Sequence, residues 1–263
     1  NALQVNAQPK NRYYRYDFLF DNCTTRAKDI VQDNLDSTLH FKNILPADKP
    51  SFRELLHTYL DNGEQPWSKL GIDILLGADL DQKTTNEQAM FLPDYLLKGF
   101  DSAIHNGQPL VGPAVTILEM PSPLRSSSIF RPAVIFSLLL VLVIALSFVK
   151  STSLAKALTI FDFLFFLLLG LAGILLLFMW FGTDHVVCRN NFNLFWAFPP
   201  NVVMAFVVHS KDSRVRTYFK WLSWLSLALL VTWYFIPQDL NNALVPIVLL
   251  IMFRSWVISK RSS

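Results

Sequence analysis

The stretch Y-R-Y-D-F-L-F-D-N-C-T-T-R-A-K-D-I at 14–30 carries the most reactive side chain of the N-terminal half, Cys23. Thr24 or Thr25 offers a helix cap, and the run to about Leu35 is compatible with a helix. The thiol is therefore expected at a helix start, where backbone N–H groups and the helix dipole stabilise a thiolate. Arg26 and Lys28 add positive charge nearby. That setting suits a cysteine nucleophile, with Asn22, Thr24 and Arg26 as candidates to orient a substrate. Two plainer readings stand beside it. A lone cysteine is commonly a small buried hydrophobe, and in an oxidising compartment it can pair with Cys188, the other cysteine.

The elements that must hold this thiol are mostly helical. Tyr14, Tyr16, Phe18 and Phe20 alternate, which predicts an extended approach ended by Asp21-Asn22. Helices are expected over 51–62, 67–77 and 88–102. Residues 107–131 are rich in Pro and Ser and read as an extended tail with one strand near Ala114–Leu118. The expected division is a soluble domain over 1–120, a linker over 121–131 and a membrane domain over 132–263. No Gly-rich phosphate loop, zinc-ligand spacing or serine nucleophile elbow occurs, so neither a metal nor a cofactor is expected.

Charge marks the same boundary. The chain of 263 residues is 52% hydrophobic and only 16% charged, and residues 1–131 hold 29 charged side chains against 14 in 132–263. A net charge of +3, dispersed along the chain, gives no basic field for nucleic acid. A transmembrane helix needs about 20 mostly apolar residues, and five segments qualify: 132–149, 157–181, 194–208, 221–236 and 243–258. The third is short and contains Pro199-Pro200, so a tilted or re-entrant element is the alternative there. Five spans put Lys150, Lys156, Lys211, Arg214, Arg216, Lys220, Lys260 and Arg261 on one side and only Arg189 on the other. Basic loops stay in the cytoplasm, so residues 1–131 are expected outside it.

Two polar features of the apolar half exceed what an anchor needs. Asp162 lies one turn inside a span, where carboxylates are costly and usually functional, although an interfacial acid paired with Lys156 fits as well. The loop from Thr183, Asp184 and His185 to Asn191 and Asn193 is polar and lies on the same side as the soluble domain. A nucleophilic cysteine also needs a base. His209 is on the cytoplasmic side, His57 lies on a helix-like stretch, and His40 and His105 have no supporting neighbours. His185, beside Asp184, is on the correct side. The chain opens on Asn1 with no signal peptide, which is read as a fragment, so the base is either His185, if the soluble domain docks on the membrane face, or a residue upstream of Asn1.

F-D-N-C-T-T-R at 20–26, P-W-S-K-L-G-I-D-I-L-L-G at 66–77, F-L-P-D-Y-L at 91–96, F-D-F-L-F at 161–165 and T-D-H-x5-N-x-N-L-x-W at 183–196 together resemble the Lnb family of Bacteroidetes. The resemblance covers almost the whole chain. It implies a bacterial inner-membrane, multi-pass protein with residues 1–131 periplasmic: an α+β, papain-like (permuted thiol-enzyme) domain fragment over 1–120, mostly helical here, and an all-α five-helix transmembrane domain over 132–263. It implies a cysteine-dependent acyltransferase that N-acylates the N-terminal cysteine of diacylated lipoproteins from a phospholipid acyl donor. Cys23 would be the nucleophile, with backbone N–H groups at the helix start holding the oxyanion. Asp184, His185, Asn191 and Asn193 would orient a head group or the acceptor amine. In permuted thiol enzymes the histidine precedes the cysteine, which places it before Asn1. Cys188 stands where the family pattern often has Thr. The alternatives are a membrane-tethered periplasmic cysteine peptidase or amidase, and a non-enzymatic envelope assembly module.

Overall fold

The computed structural model describes residues 2–35, 37–119 and 130–261. The helices among them are α1 (Ala2–Asn6), α2 (Cys23–Asn34), α3 (Phe52–Asn62), α4 (Pro66–Leu75), α5 (Pro93–Ser102), α6 (Pro132–Ser147), α7 (Thr152–Phe181), α8 (Asn201–Phe206), α9 (Ser213–Thr232) and α10 (Val245–Ser259). A two-stranded antiparallel hairpin, β1 (Ile104–His105) and β2 (Gln108–Pro109), turns through Asn106 and Gly107, both at positive φ. The chain forms two compact units, 1–59 with 80–124, and 60–79 with 125–263. Residues 60–79, expected with the soluble domain, thus pack with the C-terminal helices. Positions 121–129 of the expected linker lie outside the described residues.

The first unit is built around Phe52, Leu55 and Leu56 of α3, with Leu19, Leu80, Met90 and Phe91 buried beside them. Each such side chain contributes about 1.5–3 kcal/mol when removed from water. Arg53 is fully buried and forms a forked pair with Asp81, Nε to Oδ1 at 2.8 Å and Nη2 to Oδ2 at 3.1 Å. That geometry satisfies a charge which would be costly alone. The helix expected over 88–102 is interrupted. Residues 88–91 form a 3-10 turn, and α5 starts only at Pro93, because proline excludes the preceding Leu92 from helical backbone angles. The strand expected at 114–118 is absent. Val115 and Ile117 are 82% and 96% exposed, and no described strand lies beside them to supply a ladder.

In the second unit, α9 packs along α10, α8 along α7 and α6 along α10. Two of these helices, Thr152–Phe181 and the stretch 242–259, are long and apolar enough to cross a membrane, and Pro132–Ser147 is apolar but shorter. The third expected span is not one helix. It consists of a 3-10 turn at Phe192–Phe195, irregular chain through Pro199-Pro200, and the six residues of α8. Two consecutive prolines remove two backbone donors and bar Phe198 from the helical region. The segment nevertheless descends alongside α7. A Cβ on Gly173 would meet Ala197 and one on Gly170 would meet Val202, so both glycines admit the neighbouring backbone. Lower down, the Val208 carbonyl accepts from Arg261, whose Nη2 is 3.0 Å from Asp162 Oδ2.

Asp162 is fully buried, and its partner is not Lys156. Arg254 meets it with Nε–Oδ1 at 2.7 Å and Nη2–Oδ2 at 2.8 Å, and donates from Nη1 to Ser147 Oγ. One carboxylate thereby ties the end of α6, the start of α7, the end of α10 and the segment beyond it. This is the basic end of the unit.

Candidate functional site

Cys23 is the first residue of α2, and the cap is Asn22 rather than Thr24 or Thr25. Asn22 Oδ1 accepts from the N–H groups of Thr24 (2.8 Å) and Thr25 (2.9 Å), while Thr25 Oγ1 accepts from the N–H of Asn22. This reciprocal box satisfies the N–H groups of Asn22, Thr24 and Thr25. Asn22 also looks away from the helix, where its Nδ2 donates to the carbonyls of Phe18 and Phe91, each at 3.0 Å. The motifs at 20–26 and 91–96 therefore meet, and the meeting fixes the cysteine's backbone. Phe18 packs edge-on to Phe91, and Phe20 to Phe52, which locks the approach from the other side.

That approach is a tight turn rather than a continuous strand. Asp17 and Asp21 exchange backbone hydrogen bonds, and Asp17 Oδ1 accepts from the N–H groups of Leu19 and Phe20. Aspartate captures its own backbone readily in this way, so it competes with extended structure.

The thiol is free and exposed, with Sγ 3.9 Å from Thr24 Oγ1. Cys188 is also free but buried, and burial pushes its thiol up. The buried-hydrophobe reading of Cys23 falls. Because the cap takes the N–H groups of Thr24 and Thr25, the expected oxyanion donors narrow to one. The N–H of Cys23 itself takes no acceptor among the described residues.

Arg26 is held by Asp21, Nε to Oδ1 at 2.6 Å and Nη2 to Oδ2 at 3.1 Å, and lies over the Tyr14 ring at 3.6 Å. Tyr16 was not singled out from the sequence. Partial desolvation raises its hydroxyl from the ordinary value although the ring is largely exposed, and Cys23 is near enough to add to the rise. The alternation of Tyr14 and Tyr16 was visible in the sequence, but the turn that brings Tyr16 toward Cys23 was not. Within the first unit, no histidine hydrogen-bonds Cys23 among the described residues. His40 instead exchanges backbone bonds with Ile104, extending the hairpin, and His57 stands half-buried on α3.

The polar loop of the second unit is built on α4. The last carbonyls of a helix have no partners within it, and here side-chain amides supply them. Asn191 Nδ2 donates to Ile74 O (2.8 Å) and Leu75 O (3.1 Å). Asn193 Nδ2 donates to Asp73 O (2.8 Å), and Gln238 Nε2 to Leu76 O (3.0 Å). Asn241 Nδ2 reaches the Asp73 carboxylate at 2.7 Å, and Trp196 Nε1 donates to Asn193 Oδ1. Asn191, Asn193 and Gln238 are almost fully buried. The motifs at 66–77 and 183–196 are thus each other's partners.

Thr183 bonds back to the Met179 carbonyl, and the side chains of Asp184 and His185 are exposed beyond it. An apolar cavity of about 250 Å³ opens at the same loop, lined by Trp180, Phe192, Leu194 and Phe195 with Asn190 and Asn191 at its edge. No group of metal-ligating side chains is found among the described residues.

No curated protein and no solved structure matches the chain. Two family models do: the Lnb N-terminal periplasmic domain over residues 1–58, and the Lnb transmembrane domain over residues 124–262. The exposed thiol thus belongs to the first of these and the amide-held loop to the second, and the chain is a member of the Lnb family, a periplasmic N-terminal domain followed by a transmembrane domain.

Proposed function

We propose that this protein is an inner-membrane cysteine acyltransferase that moves an acyl chain from a phospholipid to the free α-amino group of a diacylated lipoprotein's N-terminal cysteine. The observation that carries the proposal is the exposed thiol of Cys23 at the first residue of a doubly capped helix. The helix's partial positive charge is concentrated at that turn. The Cys23 thiolate attacks the ester carbonyl of the donor, and the N–H of Cys23 stabilises the oxyanion. The departing lysolipid oxygen takes up the proton that the Cys23 thiol gave up, and a thioester remains. The acceptor amine attacks the thioester, an amide forms, and the thiol is released. Thr24 Oγ1 lies beside the reacting sulfur, and Arg26, on the same first turns of α2 and paired with Asp21, is the nearby cation for an anionic head group.

Asp184 and His185 orient the head group or the acceptor amine at the membrane face. Asn191 and Asn193 hold that loop on α4. The apolar cavity beside that loop suits an acyl chain. The proposed topology has five crossings with the basic end in the cytoplasm. It is supported by the descent of the interrupted third segment along α7 to Arg261 and Asp162. The papain-like fold of the periplasmic domain belongs to the same proposal.

The test is Cys23→Ser in the native protein, with lipoprotein acyl number read by mass spectrometry. Triacylated lipoprotein is expected to disappear while the protein level stays unchanged. Wild-type protein quenched during turnover is expected to carry an added mass of about one fatty acyl chain on Cys23. Unchanged triacylation in the serine variant overturns the assignment, and a peptidyl rather than fatty adduct turns it into a peptidase.

A further inference from the structure

A second cavity, of about 590 Å³, opens between α9 and α10 at the basic end of the transmembrane unit. Its walls are apolar and aromatic, with Trp224, Met252, Phe253 and Trp256, and Lys220 and Lys260 also line it. The two hydroxyls in the lining are already spent, Ser223 Oγ on the Met252 carbonyl and Ser259 Oγ on the Trp256 carbonyl. The lysines are not: neither ammonium meets a carboxylate among the described residues. The cavity therefore presents two cations that no carboxylate among the described residues pairs with, together with an apolar trough.

We infer that this cavity is a binding site for an anionic phospholipid, distinct from the acyl-transfer site, with Lys220 and Lys260 on the phosphate and the tryptophans against the acyl chains. An amphiphile is the one ligand class that satisfies both halves of the lining. A free phosphate leaves about four aromatic or thioether walls against water, and a zwitterionic lipid carries its own ammonium to the two lysines. Tryptophan rings favour the head-group level of a bilayer, and both Trp224 and Trp256 are more than half exposed on that surface. On the orientation proposed above the site faces the cytoplasmic leaflet, where lysines gain from anionic lipid. Its binding chemistry does not depend on the acyl transfer.

The test uses the intact protein in phosphatidylcholine bilayers doped with brominated lipid, with tryptophan fluorescence as the readout. Brominated phosphatidylglycerol is expected to quench more than brominated phosphatidylcholine at equal mole fraction. Lys220→Gln and Lys260→Gln are each expected to weaken that preference about fivefold, and the double variant to abolish it. Both lysines are exposed, so neither change disturbs packing. Inorganic phosphate is expected to leave the excess quenching intact. Equal quenching by the two lipids, survival of the excess in the double variant, or its displacement by inorganic phosphate each overturns the proposal.

Discussion

A side chain on Gly77 would collide with the carbonyl oxygen of Arg189. The N–H of Gly77 donates to Val187 O at 2.9 Å, and the N–H of Ala78 to Asn190 O at 3.1 Å, so two loop backbones lie directly against each other there. This contact, together with the amide caps on α4, holds the loop from Val187 to Asn193 against the end of α4.

Gly77→Ala is therefore expected to destabilise the transmembrane unit by at least about 2 kcal/mol, since backbone must move. Gly71, in the middle of α4, has open space where its Cβ would stand. Gly71→Ala is expected to be neutral or to stabilise by up to about 1 kcal/mol through helix propensity. Thermal unfolding in detergent checks both. Equal effects of the two substitutions refute the close-contact account.

Asp162 neutralises Arg254 and approaches Arg261, all at the basic end. Asp162→Ala leaves a fully buried guanidinium without its partner and is expected to cost about 3–5 kcal/mol. Replacing Asp162 and Arg254 together by apolar residues of similar volume is expected to cost less than Asp162→Ala alone. Unfolding of the single and double variants decides it, and additive losses refute the pairing.

The two thiols should separate by reactivity. Cys23 is exposed, whereas Cys188 is buried and its thiol is pushed up by that burial. A maleimide is expected to modify Cys23 in the folded protein and Cys188 only after unfolding. Peptide mapping after a brief pulse checks this. Comparable labelling of both in the native state is the contrary result.

Glu54 gives the periplasmic domain an acid-sensitive contact. The Ser51 N–H holds its carboxylate below the ordinary 4.5, with Lys83 adding to the effect. A lowered folded-state value means the contribution is fully present above about 4.5 and is lost as pH falls below it. Glu54→Gln is expected to lower stability at pH 7 slightly and to flatten the stability profile below about pH 4.5. An unchanged slope there argues against the contact.

Much of this protein was legible in its sequence because the evidence was local or compositional. The apolar runs and a cysteine at a helix start both follow from residue type and near-neighbour spacing. Partnerships across long separations were not legible. The motifs at 66–77 and 183–196 could be marked as unusual. That Asn191 and Asn193 serve the open end of α4 depends on a hydrogen bond spanning 117 residues for one and 120 for the other. The partner of Asp162 was likewise sought one turn away at Lys156 and lies 92 residues away at Arg254. The approach to Cys23 was read as a strand because its aromatics alternate. Asp17 decides otherwise by bonding its own backbone, and Phe18 and Phe20 then find Phe91 and Phe52. The sequence alone determined which groups must be buried or solvated. Only the tertiary structure decided which buried polar group answers which, because each buried donor is satisfied by whatever acceptor the fold brings within about 3 Å.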